Sequence, residues 1–136
     1  MPPEDRLEDL FAQAALYNLV EVGPTEADLA QAPVLDRWVA MQDRIGHVIL
    51  FGRVTDHPRL GNRDIHTSQV FGLDVAEKWA RTYSRWYRLG VPYPGRGKDA
   101  FKLPSLHTLS NPDEIRAVLT AEAGIVRAVL ARIRRQ

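Results

Sequence analysis

Thirteen residues, Lys78 to Gly90 (KWARTYSRWYRLG), restrict the fold of this chain more than any other stretch. They hold Lys78, Arg81, Arg85 and Arg88, with Trp79, Tyr83, Trp86 and Tyr87 set between them, and no acid. Trp and Tyr favour strands, where successive side chains point to opposite faces. Read as one strand over 78–88, the segment places Trp79, Arg81, Tyr83, Arg85 and Tyr87 on a single face. A strand of this kind is the centre of a small sheet, a binding surface, or both.

Two other strands are expected before it. Residues 47–54, HVILFGRV, contain the apolar run Val48, Ile49, Leu50 and Phe51, which reads as a central strand buried on both faces. The turn formers Asp56, Pro58, Gly61 and Asn62 follow, and then a strand over 64–71. Alternation there sends Ile65, Thr67, Gln69 and Phe71 one way and His66, Ser68 and Val70 the other. Strand, loop, strand, short loop, strand predicts an antiparallel meander.

Helices bracket these strands. Leu7, Leu10, Phe11, Ala14 and Ala15 share one apolar face over residues 4–21, acids fill the first turns, and Gly23-Pro24 closes the helix. Thr25 and Asp28 have the spacing of a capping box for a short helix from Glu26 to Gln31. Pro33 ends it, and Val34, Leu35 and Trp38 anchor the following segment to the core. Residues 91–99 form a basic loop, and 100–109 add a short extended piece. Ser110-Asn111-Pro112-Asp113-Glu114, with Ser or Asn as the cap, starts a helix over 112–134 with a long apolar stripe. The expected fold is α+β: a single domain, residues 1–136, with a small antiparallel sheet of three or more strands packed by an N-terminal helix and a long C-terminal helix.

The pattern GRVTDHPRLGNRDIHTSQVFGLD, followed by WARTYSRWYRLG, resembles a group of small bacterial proteins gathered as a domain of unknown function. The matching positions are Gly52, Val54, His57, Pro58, Arg59, Leu60, Ile65, Thr67, Ser68, Thr82, Ser84, Arg85, Tyr87, Leu89 and Gly90. Asp56 stands where the pattern calls for glycine. The resemblance covers about a third of the chain. It implies one domain with the hairpin region at its centre, and it brings no activity, substrate or catalytic residue.

Charge is divided along the chain. Residues 1–43 carry nine acids against Arg6 and Arg37, and residues 44–136 carry sixteen Lys or Arg against eight acids. Such segregation suggests opposed faces, or an acidic front segment lying over the basic back one. Residues 78–102 alone hold seven cations (Lys78, Arg81, Arg85, Arg88, Arg96, Lys98 and Lys102) against Asp99, together with six aromatic rings. Cations hold phosphates and rings stack on unpaired bases. On this reading Arg81, Arg85, Arg88, Arg96 and Lys98 contact phosphates, and Tyr83 and Tyr87 stack. The expected role is a nucleic-acid-binding module. The alternative is a protein-interaction or regulatory module that docks a partner or a second copy of itself through an amphipathic helix.

Other classes have less support. There is no cysteine, so disulfides, thiolate metal sites and a cysteine nucleophile are excluded. The four histidines have no metal-ligand spacing, and GRGK at 95–98 is not a P-loop. An active site would need the hairpins to gather His57, His66, Thr67, Ser68 and Ser84. The expectation is therefore no cofactor, no metal and no enzyme. The first residues lack the basic and apolar regions of a signal peptide, and no apolar run is long enough to span a bilayer. A cytoplasmic protein is expected.

Overall fold

The computed structural model describes residues 3–94, 107–109 and 111–135. Helix α1 is Pro3–Val22, α2 is Glu26–Gln31 and α3 is Pro112–Arg134. The strands are β1 (Val34–Gln42), β2 (Val48–His57), β3 (Gly61–His66), β4 (Val70–Asp74), β5 (Trp79–Thr82), β6 (Trp86–Leu89) and β7 (His107–Leu109). The fold is α+β, with a mostly antiparallel sheet. The helix starts follow local chemistry. Thr25 and Asp28 exchange both bonds of a capping box, and Asn111 Oδ1 accepts from the Glu114 amide at 2.8 Å. Gly23, at a φ of 87°, closes α1 by donating its amide to the Leu19 carbonyl.

Residues Val34–Gln42 form strand β1, where the sequence predicts only core anchors at Val34, Leu35 and Trp38. It is the hub of the sheet. One side pairs antiparallel with β2. The other side is shared: Val34 and Leu35 lie parallel to Arg88 and Leu89 of β6, while Ala40, Met41 and Gln42 lie antiparallel to β7. A bulge between Asp36 and Val39, with Arg37 at a φ of 50°, separates the two pairings. The bulge also breaks the period of two. Leu35 and Trp38 are both buried three residues apart, so no alternation was there to be read.

The strand order is β3-β2-β1-β6-β5-β4, which puts β3 and β4 at opposite ends. Yet only Thr67, Ser68 and Gln69 join them. Four residue steps reach at most about 14 Å, whereas the outer strands of a flat six-stranded sheet stand about 24 Å apart. The sheet must therefore curl. The pairing directions make β3 and β4 run the same way, so the chain bends from one into the other. Thr67 secures the bend. Its amide donates to the Leu50 carbonyl at 2.8 Å, and its hydroxyl accepts from the Leu50 amide and donates to the Ser68 carbonyl.

The bend splits the strand expected over 64–71 and reverses its alternation. Val70 faces the interior and Phe71 the outer helices. The strand expected over 78–88 is likewise two strands. Thr82 makes the turn, with its hydroxyl accepting from the amides of Ser84 and Arg85 and donating to the Arg85 carbonyl. β2 alternates rather than being buried on both faces: Val48, Leu50 and Val54 point inward, and Ile49 and Phe51 are only partly covered.

The curled sheet encloses Leu35, Ala40, Val48, Leu50, Val54, Val70, Ala80, Tyr87 and Leu89, and Ile115 and Leu119 of α3 join that core. Outside, Tyr17 of α1, Phe71 of β4 and Val126 and Leu130 of α3 form a second cluster. Ala32, Trp79 and Trp86 form a third, with Leu29 of α2 packed against it. α1 approaches β4 so closely that a Cβ on Gly72 would stand 2.3 Å from Val20 Cγ1 and 3.0 Å from its Cβ. Overpacking of this kind costs ~1–3 kcal/mol. Gly72→Ala is expected to lower unfolding free energy by that amount in urea titrations.

Candidate functional site

The turn after β2 and the turn after β5 face each other where the sheet fails to close. Between them lies a pocket of about 270 Å³, lined by His57, Arg59, Leu60, Ile65, His66, Thr67, Ser68, Ser84, Arg85 and Tyr87. The five residues that an active site would have needed, His57, His66, Thr67, Ser68 and Ser84, do come together here. So do Arg85 and Tyr87 of the expected nucleic-acid surface. The remaining residues of that surface are elsewhere.

The single cation-and-ring face does not exist. Trp79 pairs with Arg88, Ala80 with Tyr87 and Arg81 with Trp86, and cross-strand partners share a face. Tyr87 therefore lies on the interior face with Ala80, only 4% exposed. Trp79 and Trp86 stack edge to face at 5.4 Å beneath the α2 region. Arg81 lies over the Trp86 ring at 5.4 Å and donates Nε–H to the Thr82 carbonyl. Arg88 donates Nε–H to the Ala32 carbonyl. Tyr83 is the one ring of the set left in solvent, 50% exposed, with its other side toward Phe71. Arg96 and Lys98 lie outside the described residues.

His57 is shaped by its own turn. Nδ1 accepts from the amides of Arg59 and Leu60, both at 3.0 Å. That leaves Nε2 as the protonated nitrogen, a donor. Burial lowers the pKa of His57 below its ordinary value, and Arg85, Arg59 and Arg63 lower it further. The ring is thus neutral and held in one tautomer. Burial also raises the pKa of Tyr87, with Arg85 opposing the shift, so its hydroxyl stays protonated. The Ser68 and Ser84 hydroxyls meet at 3.3 Å, between the β3–β4 bend and the β5–β6 turn.

The polar side chains of the lining are two guanidinium groups, two imidazoles and hydroxyls, and no carboxylate is among them. No carboxylate of the described residues pairs with Arg59 or Arg85. Nor does a hydrogen bond join either histidine to either serine, and His57 Nδ1 is already taken by two amides. The arrangement suits binding of an anion better than activation of a serine. His57 fastens its own turn through Nδ1, and neither its second nitrogen nor Arg59 is marked by the sequence as a binding group. Their shared signal was the HPRL turn itself.

Two outcomes follow for stability. The folded state favours neutral His57, so this contribution is complete above about pH 6.5 and is lost as pH falls below it. In urea titrations, wild type is expected to lose more stability between about pH 7.5 and 5.5 than His57→Asn, whose side-chain oxygen can still accept from the turn. Thr82→Val keeps the shape but strands the Ser84 and Arg85 amides, and is expected to cost ~1–3 kcal/mol.

No curated protein and no solved structure matches the chain. Among the described residues no helix is long and apolar enough to cross a membrane. Nine of the ten pocket residues, all but His66, stand at positions of the pattern built on the HPRL turn and the two hairpin strands. A match over residues 7–103 extends well beyond that pattern, to α1, α2 and β1, and places the chain in the family of unknown function DUF6634.

Proposed function

We propose that the protein is a small cytoplasmic binding module for nucleic acid, with phosphate held at the pocket by Arg59 and Arg85 and a base stacked on Tyr83. The observation that supports this reading is a donor-lined opening with two guanidinium groups and no carboxylate. Phosphate binding needs converging donors, and Arg supplies them as a planar fork. Tyr83 follows Thr82 on the turn that carries Ser84 and Arg85, and half of its surface is free. The strand face proposed from sequence contributes less, because Arg81 and Arg88 are engaged by the fold itself.

Fluorescence anisotropy with labelled single-stranded and double-stranded oligonucleotides tests the reading. Two phosphate contacts, one per guanidinium, weaken single-strand binding about sevenfold between about 50 and 200 mM salt. Binding with that salt dependence is expected, together with its loss in Arg59→Ala/Arg85→Ala that retains the wild-type circular dichroism spectrum. Absence of binding at low salt removes the proposal.

A second reading, docking of a protein or a second copy, is favoured by the helix pair. Val22 of α1 is 86% exposed and Ile125 of α3 is 65% exposed, while Arg127 of α3 bonds Asn18 and Glu21 of α1. Sedimentation at rising concentration tests self-association, and Val22→Ser/Ile125→Ser is expected to abolish any dimer that forms.

A further inference from the structure

The pocket has more donors than a phosphodiester can use. Arg59 and Arg85 bring two positive charges, and the neutral donors are His57 Nε2–H, the Tyr87 hydroxyl and one hydroxyl of the Ser68–Ser84 pair, whose other proton lies between them. A diester in a strand carries one charge and two free oxygens, and sugars leave it on both sides. A phosphate monoester carries a charge of roughly −1.5 to −2 and three free oxygens, and only one substituent leaves it. Two guanidinium groups match that charge, and the planar forks and hydroxyls together serve three oxygens. The volume of about 270 Å³ lies just below the roughly 300–1,000 Å³ of small-ligand sites. That suits one phosphate with its attached sugar. Leu60 and Ile65 supply an apolar wall beside the polar one, a place for the ester side of the ligand.

From this we infer that the pocket is a phosphate-monoester site, which takes the terminal phosphate of a nucleotide or of a strand end. The donor count carries it. It rests on the nucleic-acid reading only for its polymeric source, because a free nucleotide presents the same group.

Isothermal titration calorimetry at about 50 mM salt separates the two. The probes are adenosine 5′-monophosphate, adenosine, and one single-stranded oligonucleotide with and without a 5′-phosphate. The monophosphate is expected to bind at least about tenfold tighter than adenosine, a step that one charge-assisted contact can supply. The phosphorylated strand is expected to exceed the unphosphorylated one similarly. Arg59→Gln and Arg85→Gln are each expected to erase the preference. Arg59 is exposed, so its variant keeps the fold and decides the matter alone should Arg85→Gln unfold.

If the monophosphate binds and neither strand does, the monoester site stands and the nucleic-acid reading falls. If both strands bind equally and the monophosphate does not, the monoester site is overturned and the nucleic-acid reading stands. Binding of no probe overturns both, and a preference that survives in Arg59→Gln overturns the site.

Discussion

The architecture depends on how one strand shares its edge. β1 gives one side to β2 and divides the other between β6 and β7, in opposite directions. A regular strand could hold both neighbours only if they lay end to end in one plane. The bulge at Asp36–Val39 turns the strand instead. It is locked from outside: the Asp36 carboxylate accepts from the Val91 amide at 2.7 Å, Trp38 Nε1–H donates to the Gly90 carbonyl, and the Arg37 guanidinium lies over Tyr93. Gly90 has to be glycine here, because a Cβ would stand 2.4 Å from Asp36 Oδ1. A positive φ at Arg37 is thereby held by three neighbours, as strained backbone in folded proteins generally is.

The pocket is a consequence of that turning. Two three-stranded meanders joined along β1 and β6 bring their free edges, β3 and β4, toward each other. Short covalent linkage through Thr67–Gln69 forces the approach, while the strands themselves do not pair. What remains between them is a gap flanked by two turns, one built on His57 and one on Thr82. Both are closed by side-chain atoms that accept two backbone amides, Nδ1 in one and Oγ1 in the other. Side chains at such turns have little freedom, which suits groups that must meet a ligand in a fixed geometry.

Legibility in the sequence followed regularity. α1, α2 and α3 were readable nearly to the residue, because caps and apolar stripes are local signals, and the α+β class followed from them. The strands were harder wherever the chain departs from a period of two. β1 hides its bulge in an unremarkable apolar mixture. The bend at Thr67 and the turn at Tyr83–Arg85 each look like uninterrupted strand, since Thr, Tyr and Trp are strand formers. This is why the face assembled from Trp79, Arg81, Tyr83, Arg85 and Tyr87 came apart: the turn shifts parity, sending Tyr87 inward and both Trp side chains under α2. The site residues were nonetheless present in the motif around His57, Thr67, Ser68, Ser84 and Arg85. Their convergence depends on curling of the sheet, a long-range property that no local window holds.

Ser68 and Ser84 meet at 3.3 Å between the β3–β4 bend and the β5–β6 turn, beside the bond from the Tyr83 amide to the Gln69 carbonyl at 2.8 Å. The lining of the pocket is thus tied to the bend that joins the two halves of the sheet. An occupant held by Arg59 of one turn and Arg85 of the other would act as a rivet between the two halves of the sheet. Occupancy would then be felt as mechanical closure of the whole sheet, and ligand affinity and resistance to unfolding would rise together.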